Sequence, residues 1–189
     1  AQLQKFETTL HNYNIGFEVV DGKLFTDLPE IKLIISYLKL ALHENDNTAF
    51  KYLYNKPNRW LNTKFLEEVE NNSIHKNTSL YNAMFTIDRR NWRFKNGIDE
   101  IYEIINYLQN KKYNTVADLV RYLRTRLSID DFVTKGNQAD DGSYVEQIDN
   151  LNSFEFMCEK YKTIDQLILY LDDMNKEFET NNSQKIKLL

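Results

Sequence analysis

Apolar residues recur at helical spacing along most of this chain. Leu3, Phe6 and Leu10 open such a pattern, Gly16 stops it, and Phe17–Val20 reads as a short strand. Asp21-Gly22 is a two-residue hairpin signal, with Lys23-Leu24-Phe25 returning as the partner strand. Pro29 suits the first turn of a helix, and Ile31, Ile34, Ile35, Leu38 and Leu42 predict an amphipathic helix over 30–43. Asp46 or Asn47 can cap a second helix through Tyr54. Pro57 breaks it, and Thr63 caps a third running to about Asn71.

The polar stretch Glu70–Thr78 reads as a loop, Leu80–Phe85 as a short helix, and Ile98, Ile101, Tyr102, Ile105 and Leu108 as one face of a longer one. Thr115–Asp118 looks like a capped start for the stripe Val116, Leu119, Val120, Leu123 and Leu127. Thr134–Ser143 holds two of the five glycines and is the best candidate for a mobile loop. A helix over about Tyr144–Tyr161 follows. The capping box Thr163-Ile164-Asp165-Gln166 then opens a last helix to about Phe178. Glu179–Gln184 reads as a polar linker and Lys185–Leu189 as the start of an apolar strand. The fold expected is mainly α, a multi-helix domain with a few short β-strands at its two ends. Its expected divisions are 1–28 (helix plus hairpin), 29–179 (helical domain) and 180–189 (linker and strand). A start inside an amphipathic pattern and a stop inside a strand suggest a piece of a longer protein.

Composition narrows the function. The 189 residues are 42% hydrophobic and 13% aromatic, enough to bury a core, so disorder is excluded over most of the length. With 5 Gly and 2 Pro, a glycine-rich phosphate cradle is not expected. The lone Cys158 can form neither an internal disulfide nor a multi-thiolate zinc site, which fits a reducing, cytoplasmic setting. No apolar run approaches the roughly 20 residues that span a bilayer, so no membrane partner is expected. His11, His43 and His75 are scattered, and no metal site is expected from them.

Charge is uneven along the chain. Up to Arg126 there are 18 basic and 15 acidic residues, and beyond it 6 basic and 13 acidic, so a net of +3 is followed by a net of −7. Asn47–Leu66 contains Lys51, Lys56, Arg59 and Lys64 and no acid. Arg89–Lys95 contains Arg89, Arg90, Arg93 and Lys95, also without an acid, interleaved with Trp92 and Phe94. Such local positive surfaces suit phosphate, whose neutralisation dominates nucleic-acid affinity; a solvated helix face is the other reading. Helix, tight turn (Pro57–Asn62), then capped helix is a helix–hairpin–helix layout. The positive end of the second helix dipole faces the turn, so Arg59 and Lys64 could hold a backbone phosphate there.

At this turn the sequence resembles UvrD/Rep/PcrA-type superfamily 1 DNA helicases. The resemblance is carried by Phe25–Lys32, Tyr37–Leu40, Asn45-Asp46, Ala49-Phe50 and Asn55–Arg59, with Ile15–Gly22 upstream and Val145–Leu151 and Lys185–Leu189 downstream. It covers nearly the whole chain, dense over 15–66 and thin over about 72–143. In that family this region lies where the second RecA-like domain (2A) gives way to an inserted helical domain (2B). The resemblance therefore implies 2A-like flanks at 1–28 and 180–189 and a 2B-like domain between them. Trp60 and Asn62 stand where the family has the glycines of its duplex-contacting turn, and Asp21 replaces another glycine. The ring of Trp60 could stack on sugar or an exposed base.

The resemblance implies an accessory, duplex-binding domain of an ATP-dependent 3′-to-5′ DNA helicase. Its DNA contacts would be Lys56, Arg59, Asn62, Thr63 and Lys64, with Arg89, Arg90 and Arg93 secondary. ATP and Mg2+ are implied for the parent protein only. This chain has no phosphate-binding loop motif and no paired Asp-Glu for magnesium, so no catalytic residue is expected in it. Implied partners are duplex or junction DNA bound without regard to sequence, the remaining helicase domains in cis, and a regulatory protein. The rival reading is an α-helical protein-interaction module without nucleic-acid binding, supported by the net −7 after Arg126 and the lost glycines.

Overall fold

A proline at the first position of a helix lacks an N–H that the helix leaves unpaired anyway. Pro29 uses this to open α1 (Pro29–Leu42), which is buried at every position from Glu30 to Ala41 except Lys32 and Lys39. The computed structural model describes residues 24–136 and 143–186, with side chains described over 24–133 and 145–176. Around α1 lie α2 (Asn47–Leu53), α5 (Trp92–Asn110), α8 (Ser143–Cys158) and α9 (Ile164–Ile186). The expected amphipathic helix is thus a central one, covered on nearly all sides, as a helix apolar around its circumference must be. The remaining helices are α3 (Thr63–Lys76), α4 (Leu80–Met84), α6 (Val116–Arg126) and α7 (Ile129–Gly136).

Local chemistry sets the boundaries. The Asp46 carboxylate accepts from Ala49 N at 2.8 Å and caps α2. Asn62, not Thr63, caps α3, accepting from Phe65 N at 3.1 Å. Thr115 and Asp118 form a reciprocal capping box on α6. At α9 the Thr163 hydroxyl accepts from Gln166 N, whereas the Gln166 side chain accepts from Lys162 N, one residue before the position a capping box uses.

The structure corrects the sequence reading in four places. Glu70–Thr78 is not a loop: α3 continues to Lys76 and ends at Asn77, whose left-handed φ of 48° returns its N–H to the Ile74 and Ser73 carbonyls. α3 buries only Phe65 and Val69, so its outer turns carry no apolar period. The short α7 was not expected. A left-handed Ser128 (φ 47°) turns the chain into it, and it buries Ile129 and Val133. The expected linker Glu179–Gln184 is instead helical, within α9. Finally, no strand occurs among the described residues: Phe25 belongs to a 3-10 turn (Phe25–Asp27), and Lys185 and Ile186 end α9. The opening helix, Phe17–Lys23 of the hairpin and Lys187–Leu189 of the last strand lie outside the described residues. Of the expected loop Thr134–Ser143, Thr134–Gly136 end α7 and Ser143 begins α8, and the rest lies outside the described residues.

Part of the acidic excess beyond Arg126 is neutralised within the chain. The Arg124 guanidinium forks onto Asp130 (3.0 and 2.8 Å) and reaches Glu155 at 2.9 Å, and Arg121 joins Glu155 at 3.0 Å. This ties α6 to α7 and α8 through paired, charge-assisted bonds. Asp172 on α9 meets Lys39 of α1 at 3.2 Å. Cys158 is buried, and burial pushes its thiol pKa up, as for a structural cysteine.

Candidate nucleic-acid interface

The turn between α2 and α3 is organised by its asparagines. Asn55 Oδ1 accepts from Arg59 N at 2.8 Å and from Leu61 N at 3.1 Å, and Asn58 Oδ1 accepts from Trp60 N at 2.9 Å. Each replaces a backbone acceptor that a tight turn cannot supply. The Lys56–Pro57 peptide is cis.

Arg59 is where expectation and structure part. Its side chain is 2% exposed and faces inward. Nη1 donates to the carbonyls of Leu53 (3.2 Å), Lys56 (2.8 Å) and Pro57 (3.3 Å), and Nη2 donates to the Tyr37 hydroxyl. Nε faces Glu100 Oε2 at 3.3 Å, close enough for charge attraction but without hydrogen-bond alignment. Tyr37 in turn donates to the Lys56 carbonyl at 3.1 Å, and burial pushes its pKa up to about 12 despite the neighbouring Arg59. In this arrangement the guanidinium holds the turn onto α1 and α5, and its donors are directed at protein acceptors rather than at solvent. A phosphate contact by Arg59 would require those bonds to break.

The same clamp brings the two basic segments together. Gly97 of α5 lies so close to Leu61 that a Cβ there would meet Leu61 Cδ2 and Cγ at 2.8 Å, and Leu61 is fully buried. Glycine therefore permits the first turns of α5 to seat against the turn. Phe65 and Phe94 pack at 5.4 Å between ring centroids across the same seam. At the surface above it, the Arg93 guanidinium lies 5.7 Å from the Trp60 ring centroid and 5.4 Å from that of Trp92. Both indoles are exposed, and Trp60 stands in the left-handed region at φ 61°.

The other expected contacts fall as follows. Asn62, Thr63 and Lys64 are exposed at the start of α3, with Asn62 Oδ1 occupied by its cap. Lys56 is exposed, but its ammonium sits 3.6 Å above the Tyr52 ring. Partial burial, then the nearby Lys32 charge, hold its pKa below the usual lysine value. Arg89 pairs with Asp99 at 3.0 Å, and Arg90 pairs with Asp88. Lys64, Arg93 and Lys95 are exposed and form no ion pair among the described residues. Sequence reading assigns no site role to Tyr37, Glu100, Leu61 or Gly97, although Tyr37 and Leu61 lie within segments it singles out. The one available signal was Gly97, an isolated glycine inside a helical pattern.

Among the described residues no group of three or more His, Cys, Asp or Glu side chains is placed to hold a metal ion. Among them, too, no helix is long and apolar enough to cross a membrane.

The sequence model of the UvrD-like helicase C-terminal domain matches residues 1–189. The ATP-dependent DNA helicase PcrA of Staphylococcus epidermidis RP62A is 23% identical over 180 residues, covering 93% of this chain and 25% of that protein. PcrA of Staphylococcus aureus Mu50 is 24% identical over 180 residues, with the same coverage of both. The chain thus spans about a quarter of the length of these curated relatives. With all 189 residues matched, the chain belongs to the UvrD-like helicase C-terminal domain family.

Proposed function

We propose that this chain is the 2B-type accessory domain of an ATP-dependent DNA helicase, and that it grips duplex DNA by its backbone without regard to sequence. The observation that carries the reading is the convergence of two acid-free basic segments on one surface. Lys64 at the start of α3 and Arg93 and Lys95 at the start of α5 are exposed cations that pair with no carboxylate among the described residues. Asn62, Thr63 and the positive end of α3 add donors beside them, and Lys56 lies at the margin. Arg59 acts as a positioning residue, and Arg89 and Arg90 contribute less because Asp99 and Asp88 neutralise them.

In this reading the chain is not catalytic by itself, and ATP and Mg2+ belong to other domains of a 3′-to-5′ translocating parent. Those domains are its partners in cis, and its setting is the cytoplasm. The domain moves as a body about its connections to a 2A-type domain, with a hinge near Asp27–Pro29, where a few residues can absorb the dihedral change. The other expected connection, Thr180–Gln184, is helical within α9. A regulatory protein that biases this movement would act on the same body.

Fluorescence anisotropy of the chain with a labelled blunt duplex tests the grip. With about three phosphate contacts, affinity should fall roughly 40-fold between about 50 and 200 mM salt. Lys64→Ala should weaken all sequences alike and lower the salt slope by about one. Absence of salt-sensitive binding, with circular dichroism showing the helices intact, would discard the duplex grip in favour of a protein-docking role.

A further inference from the structure

An indole exposed on a turn gives up burial, and a left-handed backbone is unfavourable for any residue with a Cβ. Trp60 does both: it is 65% exposed at φ 61°. Trp92 is 63% exposed two helices away in sequence, and the Arg93 guanidinium lies over both rings. Neither indole is needed to fill the core.

We propose that Trp60, Arg93 and Trp92 form a stacking site for an unpaired base of a DNA strand. The domain would then distinguish a junction or a single-stranded tail from uninterrupted duplex. This rests on the reading that this surface meets DNA. Within a duplex the faces of the bases are covered by their neighbours, so an indole can stack only on a base that is unpaired or terminal. Every base has a π-face, so such a site tolerates sequence, in keeping with a sequence-independent grip. A guanidinium plane also stacks on bases. Arg93 is held by two rings and by no carboxylate among the described residues, so its charge stays available to the strand. Lys64 and Lys95 are exposed nearby, on the same two helix starts, for the phosphates that follow the stacked base.

The chain contains two tryptophans, and both are in this site, so indole emission reads it alone. The experiment titrates the 189-residue chain with three ligands at fixed salt. These are a blunt duplex, the same duplex with a short single-stranded tail, and the same duplex with a tail of abasic sugar-phosphates. The expected result is quenching and about tenfold tighter binding for the base-bearing tail, with the abasic tail close to the blunt duplex. Trp60→Gly suits the left-handed backbone and Trp92→Ala alters an exposed position, so both should fold. Each should lose most of the tail-dependent gain while keeping blunt-duplex affinity.

Equal affinity and quenching for base-bearing and abasic tails would overturn the stacking site and leave the duplex grip standing. Quenching by the base-bearing tail without blunt-duplex binding would support the stacking site and remove the grip. No binding to any of the three at low salt would overturn both, and the Trp–Arg cluster would then be a protein contact of the kind tryptophan and arginine favour.

Discussion

Arg59→Ala is expected to lower the stability of the chain by about 3–5 kcal/mol, the cost of removing one partner from a buried charged cluster. The variant leaves the Leu53, Lys56 and Pro57 carbonyls and the Tyr37 hydroxyl short of a donor, and leaves Glu100 without its cation. Against a typical total of about 5–15 kcal/mol, this loss is large. It should appear as a lower midpoint in urea and as a Tm reduced by roughly 6–20 °C, at about 2–4 °C per kcal/mol for a chain of this size. Arg59→Lys should recover little, because a single ammonium cannot reach the acceptors that the planar fork spans. Tyr37→Phe should cost less, about 1 kcal/mol, and the two changes should be strongly non-additive. An Arg59→Ala protein with the wild-type midpoint but weakened DNA binding would mean that the guanidinium serves phosphate after all. For this reason Arg59 is a poor probe of DNA contact by itself, whereas exposed Lys64 is a clean one.

Gly97→Val should be the next most damaging change at the interface, at about 1–3 kcal/mol. Its Cβ alone would approach Leu61 Cγ and Cδ2 to 2.8 Å, so the fully buried Leu61 or the helix itself would have to shift. Gly97→Ala meets the same contact but gains up to about 1 kcal/mol of helix propensity, so its net loss should be smaller. The effect reaches beyond stability. Pushing α5 off the turn separates Arg93 from Trp60, so the valine variant should show altered indole emission and a loss of whatever binding the shared surface provides. Thermal unfolding followed by both circular dichroism and tryptophan fluorescence would read the two effects together. An unchanged Tm would show that α5 and the turn are not held in this contact.

Much of the helical layout was legible because it is written in short-range chemistry. Pro29, Asp46, Thr115 and Thr163 mark helix starts through the backbone groups they leave unpaired or satisfy, and apolar spacing fixes α5 and α6. What was not legible depends on partners distant in sequence. The outer face of α3 is polar, so a helix and a loop look alike there, and only the cap at Asn77 separates them. α7 exists because Ile129 and Val133 find a core that its own eight residues do not reveal, and because Asp130 finds Arg124 on the helix before it. Arg59 is the instructive case at the site. A basic residue in a basic turn reads as a surface cation until Tyr37, 22 positions earlier, is seen to receive it. Conversely, the meeting of Trp60 with Arg93 could not be read from either segment alone, although each was visible as a basic stretch.

The central position of α1 has a consequence for the birth of the protein. Lys39 and its partner Asp172 are separated by 133 positions, and α8 and α9, which complete the cover of α1, are made after its other neighbours α2 and α5. At about 5–20 residues per second, α1 waits roughly 7–27 s for that cover after it is synthesised. Throughout that interval the face of α1 that α8 and α9 will cover lies open to water and to other nascent chains, even where α2 and α5 already shelter the rest. Ribosome-bound chains stopped before Ile164 should therefore show α1 open to protease and engaged by chaperones. The most deeply sheltered helix of the finished domain is thus one whose shelter is completed late.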